Sequence, residues 1–134
     1  MKTESQLGIY MDHTSAIIVE LKGYAVFQSR LSSGFTQEDR ELALKKSENL
    51  MNNKKQHEKA HYYKLISETI RNSNEVLLFG PTDAKNELYN LLKKNHLFDK
   101  IKIEVKGSDK MEEIQVNEFV KEYFAEVRAS SLRF

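Results

Sequence analysis

His57-Glu58-Lys59-Ala60-His61 has the residue types and the spacing of a zinc-binding helix. Two histidines four apart share one helical face and can hold a metal, while the glutamate beside them activates a water. Such a centre also needs a third ligand and a sheltered setting. Lys54-Lys55-Gln56 precede the stretch and Tyr62-Tyr63-Lys64 follow it, and neither His96 nor the scattered glutamates nominate a third ligand. A solvated helix face that carries two histidines is the simpler account, so no metal and no cofactor are expected. Asp12, Glu68 and Asp83 are a second candidate set, since carboxylates gathered at strand ends can hold two metals. Asp12 is equally a turn residue and Asp83 equally a helix-start residue that suits the dipole.

Two further patterns could meet phosphate. Gly80-Pro81-Thr82-Asp83-Ala84-Lys85 reads as a turn that opens a helix, where free backbone N–H groups and Lys85 could face an anion. The glycine spacing and terminal Lys-Ser/Thr pair of a Walker motif are missing. Lys100, Lys102 and Lys106 alternate with Ile101, Ile103 and Val105, which puts the three lysines on the wet face of one strand. From Lys93 to Lys110 there are six lysines against three carboxylates. That local excess could track a phosphate backbone, or could keep an edge strand soluble and unpaired.

The elements that must position these residues are legible from periodicity. Leu7–Met11, Ala16–Leu21 and a run from Tyr24 to Gln28 are short and rich in β-branched residues, with polar turns between them. They read as three antiparallel strands. Thr36–Lys55 is polar and reads as a loop or a loosely packed helix. Gln56–Asn72 is a helix with Ala60, Tyr63, Ile66 and Ile70 along one face. Glu75–Phe79 is nearly all apolar and reads as a central parallel strand. A helix over Ala84–Lys94 should bury Leu88, Leu91 and Leu92. A strand over Lys100–Lys106 and a helix striped by Val116, Phe119, Val120, Tyr123 and Phe124 complete the order.

Strands followed by α/β crossovers require one mixed sheet with helices on its faces, the RNase H-like α/β arrangement, with five strands of which the first three are antiparallel. Ile9, Ile18, Val26, Ile66, Leu78, Ile103 and Phe119 should share one core. We expect a single domain over residues 1–124 and a loose tail over 125–134.

The chain has 134 residues, 40% of them hydrophobic and 31% charged, with a formal net charge of +1 and no cysteine. Disulfide scaffolds, thiol catalysis and iron–sulfur clusters are thereby excluded. A globally basic nucleic-acid binder is not indicated. No apolar run is long enough to span a bilayer, and the N-terminal residues have no apolar stretch of a secretory signal. The expectation is a soluble cytoplasmic protein without a membrane partner.

Three segments resemble a known family. Leu7-Gly8-Ile9-Tyr10-Met11-Asp12-His13 with Ala16-Ile17-Ile18-Val19 is similar to the opening hairpin of small bacterial relatives of the archaeo-eukaryotic peptide-chain release factors. His61-Tyr62-Tyr63-Lys64-Leu65-Ile66-Ser67-Glu68 resembles the long helix of that family's middle domain. Val76 to Leu88 is similar to its strand, glycine turn and Lys-x-Glu helix start. The resemblance covers about Leu7 to Phe124. It implies association with the ribosome or ribosomal RNA. It does not carry catalysis across, because the family's Gly-Gly-Gln occurs nowhere in this sequence. The main reading is therefore a translation-linked factor that is not an enzyme and contacts RNA through Lys85, Lys100, Lys102 and Lys106. The alternatives are the metal-dependent hydrolase using His57, Glu58 and His61, or a protein-interaction domain without RNA binding; a homodimer is possible in either case.

Overall fold

The computed structural model describes residues 5–23, 25–32 and 48–131. Its elements run β1 (Ser5–Met11), β2 (Ser15–Lys22), β3 (Ala25–Ser32), α1 (Glu48–Ile70), β4 (Glu75–Gly80), α2 (Ala84–Lys93), a 3-10 turn (His96–Phe98), β5 (Lys102–Gly107) and α3 (Glu113–Ser131). The strands form one sheet in the order β3-β2-β1-β4-β5. β1 and β2 are antiparallel with Ile9 opposite Ile18, and β2 and β3 are antiparallel with Ala16 opposite Leu31. β1 and β4 are parallel with Ile9 opposite Leu78, and β4 and β5 are parallel with Leu78 opposite Val105. This is the mixed α/β sheet that the element order requires.

The sheet divides the interior in two. Leu7, Ile9, Met11, Ile18, Val76 and Leu78 pack with Tyr62, Ile66 and Ile70 of α1 and Leu88 and Leu92 of α2. On the opposite face Ile17, Val19, Leu21, Leu77 and Phe79 pack with Val116, Val120 and Phe124 of α3. Strand side chains alternate between faces, so a strand covered by helices on both sides is apolar throughout. Gly8 sits where α3 crosses β1; a Cβ there would overlap the side chain of Val120. Its lack of a side chain sets how closely α3 approaches the sheet.

Several expectations need correction. The single core becomes two: Ile9, Ile18, Ile66 and Leu78 share one cluster with Ile103 at its margin, whereas Phe119 packs on the other face. Val26 is 43% exposed, because β3 is an edge strand that no helix among the described residues fully covers. β4, read as a central parallel strand, is indeed interior and parallel to both β1 and β5, although β1 holds the middle of the sheet. Lys100 precedes β5, which begins at Lys102. Leu91 is 50% exposed, since α2 turns Leu88 and Leu92 inward instead. α1 already begins at Glu48, within the segment read as loop or loose helix; residues 36–47 of that segment lie outside the described residues. Of the segment 125–134, residues 125–131 continue α3 as its last turns, and residues 132–134 lie outside the described residues. Arg128 ties this end back to the sheet by donating to Gln6 Oε1 at 3.2 Å.

Candidate functional site

The C-terminal ends of β1 and β4, the start of β2 and the start of α2 meet at one edge of the sheet. The turn between β1 and β2 is built on Asp12. Its Oδ1 accepts from Thr14 N at 2.7 Å, Thr14 Oγ1 at 2.9 Å and Ser15 N at 2.8 Å. Burial pushes the Asp12 carboxyl up, but the Thr14 and Ser15 hydrogen bonds and the nearby His13 outweigh it and hold it below its ordinary value. The Tyr62 hydroxyl of α1 donates to the Asp12 carbonyl at 2.9 Å, which locks the turn to the helix.

Beside this turn, Glu87 of α2 collects three partners. His13 Nε2 lies 2.9 Å from its Oε2, while Lys59 Nζ pairs with its Oε1. Tyr63 OH donates to Oε1 at 3.3 Å. Lys59 Nζ also sits 5.8 Å from the Tyr63 ring centroid, within cation–π range. Burial raises the Glu87 carboxyl, yet the hydrogen bonds and charges of Lys59 and His13 outweigh it and the net direction is down. Burial pushes both Tyr62 and Tyr63 hydroxyls up, so they stay neutral donors. Every group in the cluster is engaged, and a carboxylate held below its ordinary value by Lys59 and His13 is a poor proton acceptor. The cluster braces the turn against α1 and α2. Sequence reasoning placed His13 and Glu87 within motif segments but did not pair them; their separation of 74 residues leaves no local signal.

The carboxylates considered for metals do not gather. Asp12 serves its own turn, and Asp83 is exposed at the start of α2 without a side-chain cap bond. Glu68 is exposed near the end of α1, where the chain turns toward the start of β4. His61 is exposed, and the side chain of His57 lies outside the described residues. Glu58 is partly buried, with an Oε2 that has no hydrogen-bond partner. Among the described residues no three His, Asp or Glu side chains are grouped to hold a metal.

The basic strand is real but interrupted. Lys102, Glu104 and Lys106 of β5 are exposed and alternate with half-buried Ile103 and Val105. Glu104 accepts from Tyr123 OH of α3, and Lys106 Nζ lies 5.0 Å from the Tyr123 ring centroid. Burial, then Glu104 and Glu75, push the Tyr123 hydroxyl up, so it remains the donor. Lys102, Glu104, Glu75 and Tyr123 line a cavity of about 240 Å³ between β5 and α3. Lys100 is exposed in the approach to β5. Lys85 differs from the other three: it is 7% exposed, and its ammonium donates to the Thr82 carbonyl within the turn that opens α2.

No family model matches the chain, and no curated protein matches it. Among solved structures it is similar to the Pelota protein of Thermoplasma acidophilum, with a TM-score of 0.57 and 17% identity over 89% of this chain and 32% of that one. It also matches Archaeoglobus fulgidus Pelota, with a TM-score of 0.47 and 15% identity over 98% of this chain and 38% of that one. An archaeal translation termination factor, aRF1, matches with a TM-score of 0.40 and 19% identity over 93% and 40%. The chain thus spans about a third of the length of the Thermoplasma protein. At 17% identity that likeness shows a shared fold.

Proposed function

We propose that this chain is a translation-linked factor that associates with the ribosome or its RNA and does not itself catalyse peptide release. The observation that carries the reading is the agreement of two independent signals. The segment from Val76 to Leu88, which resembles the release-factor middle domain, forms β4, its glycine turn and α2. The fold built around it is the one shared with Thermoplasma Pelota over 89% of this chain. The lack of Gly-Gly-Gln supports a role without hydrolysis.

Lys100, Lys102 and Lys106 are the proposed RNA contact, on a surface open at the sheet edge. Lys85 is left out, because its ammonium is already engaged with Thr82. Each lysine that neutralises a phosphate releases counterions, so association should fall steeply with salt. The test is co-sedimentation with ribosomes through sucrose gradients at low and high salt. Wild type should travel with ribosomes at low salt and leave them at high salt. The triple variant Lys100→Glu, Lys102→Glu, Lys106→Glu should remain folded, with each exposed change altering stability by about 0.5 kcal/mol, and should no longer co-sediment. A folded triple variant that co-sediments like wild type overturns the assignment of this face. Wild type that never co-sediments overturns the ribosomal reading.

A further inference from the structure

The outer surface of the α1–α2 layer carries a groove that the ribosomal reading does not use. Lys64, Glu68 and Arg71, spaced at four and three residues along α1, form one wall. Leu91 and Leu97 form the other, with Phe98 buried beneath, and the groove encloses about 300 Å³. Leu91 and Leu97 are 50% and 59% exposed and stand together on the same wall of the groove. Lys64 and Arg71 are exposed and make no ion pair among the described residues. Lys94, one residue before the groove-lining Asn95, is likewise exposed and unpaired among the described residues. Among the described residues Glu68 is the one carboxylate in the lining.

We propose that this groove docks a short amphipathic helix of a partner protein, with a row of aliphatic side chains on Leu91 and Leu97 and flanking carboxylates toward Lys64 and Arg71. A helix laid between two helices reads such a site through anchors at i, i+3 or i+4, and i+7. The net positive charge of Lys64, Arg71 and Lys94 against Glu68, and the apolar wall of Leu91 and Leu97, are complementary to an acidic helix with one aliphatic face. Single-stranded RNA fits less well. It needs an aromatic platform for base stacking, whereas the exposed apolar groups here are leucines and Phe98 is covered.

The test pans the full 134-residue chain against a displayed library of random peptides of about 16 residues, roughly four helical turns. Enriched peptides should carry an aliphatic row at helical spacing and net negative charge. A synthetic copy of the best one should bind with a Kd in the range of about 1–100 μM, as for a small transient interface. Leu91→Glu with Leu97→Glu should weaken it by about tenfold or more, and Lys64→Glu with Arg71→Glu by about tenfold. Amide shift mapping on unaltered protein needs no variant to fold and should confine the changes to residues 64–71 and 91–98. The proposal is overturned by a library that yields no enrichment, by peptides with basic or non-helical patterns, or by shifts that map elsewhere. Wild type that dimerises through Leu91 in sedimentation, or a poly-uridine RNA that shifts these amides when the peptide does not, would overturn it equally.

Discussion

The middle of the sheet and its edges obey different physics. In β1 and β4 nearly every residue is buried, because helices cover both faces and neighbouring strands take both rows of backbone hydrogen bonds. In β3 nearly every residue is exposed, and in β5 half-buried and wet positions alternate. The comparison separates two duties. The central pair fixes the fold, and the edges offer surface: lysines on β5, and on β3 an apolar pair, Val26 and Phe27, beside a margin that no other described strand pairs. Substitutions should therefore be costly in the centre and cheap at the edges, whatever their chemical type.

The largest effect is expected at Gly80, the last residue of β4. Its φ of +153° is one that residues with a side chain rarely adopt, and a Cβ would overlap the Met11 carbonyl oxygen of β1. Backbone, not a flexible side chain, would have to move. Gly80→Ala should cost roughly 4 kcal/mol, from conformational strain and the clash together. Urea unfolding measures this; a loss below about 1 kcal/mol would show that the strand ends can part easily. Leu78→Ala comes next. Leu78 is fully buried between Ile9 and Val105, so the change leaves a cavity and should cost about 3 kcal/mol.

These two residues also show what the sequence makes legible. Val76-Leu77-Leu78-Phe79 announces a covered strand by composition alone, and the antiparallel run of β1 to β3 follows from short strands and polar turns. Which face each residue joins depends on which helix lies above it, and helices pack through distant contacts. Spacing alone therefore puts Phe119 in one core with Ile9 and Leu78, which the sheet in fact separates, and predicts a buried Leu91, although α2 covers the sheet through Leu88 and Leu92. The end of α3 is hard to read for a different reason. Val116, Val120, Phe124 and Val127 continue at helical spacing, but charged Glu126 and Arg128 around Val127 hide the stripe. At the candidate sites, lysine alternation in β5 was readable. The engagement of Lys85 with its own turn, and the meeting of His13, Lys59 and Glu87, arise only once the chain has folded.

The Glu87 cluster lies between centre and edge in burial, and its effect should be intermediate to small. At neutral pH Glu87→Gln removes an ionised acceptor from Lys59 and His13, and should cost about 0.5 kcal/mol, as for exposed pairs. The sign with pH follows from the lowered carboxyl. A carboxylate depressed on folding contributes stability above its unfolded pKa and loses it as pH falls through the folded value. The difference between wild type and Glu87→Gln should thus be full above about pH 5 and shrink toward zero in strong acid. Comparing the two proteins removes the parallel contribution of Asp12, which is depressed for its own reasons. A difference that grows as pH falls would contradict the cluster as described.

The smallest effect is expected at β3. Phe27 is 58% exposed, and Val26 faces the opposite side of the sheet with nearly as much of its surface wet. Ala16, Ile18 and Leu21 of β2, which pair with Leu31, Ser29 and Val26, carry the burial that β3 itself lacks. Val26→Thr with Phe27→Ser keeps the strand's backbone pairing and, for Val26, its β-branched shape. The double variant should unfold within about 0.5 kcal/mol of wild type, the range of exposed substitutions away from the core. Its solubility should rise, because two exposed apolar groups on an open strand are an invitation to edge-to-edge pairing. A loss comparable to Leu78→Ala in urea unfolding would mean that this edge is covered in the folded protein and that centre and edge are not distinct in the way the burial pattern implies.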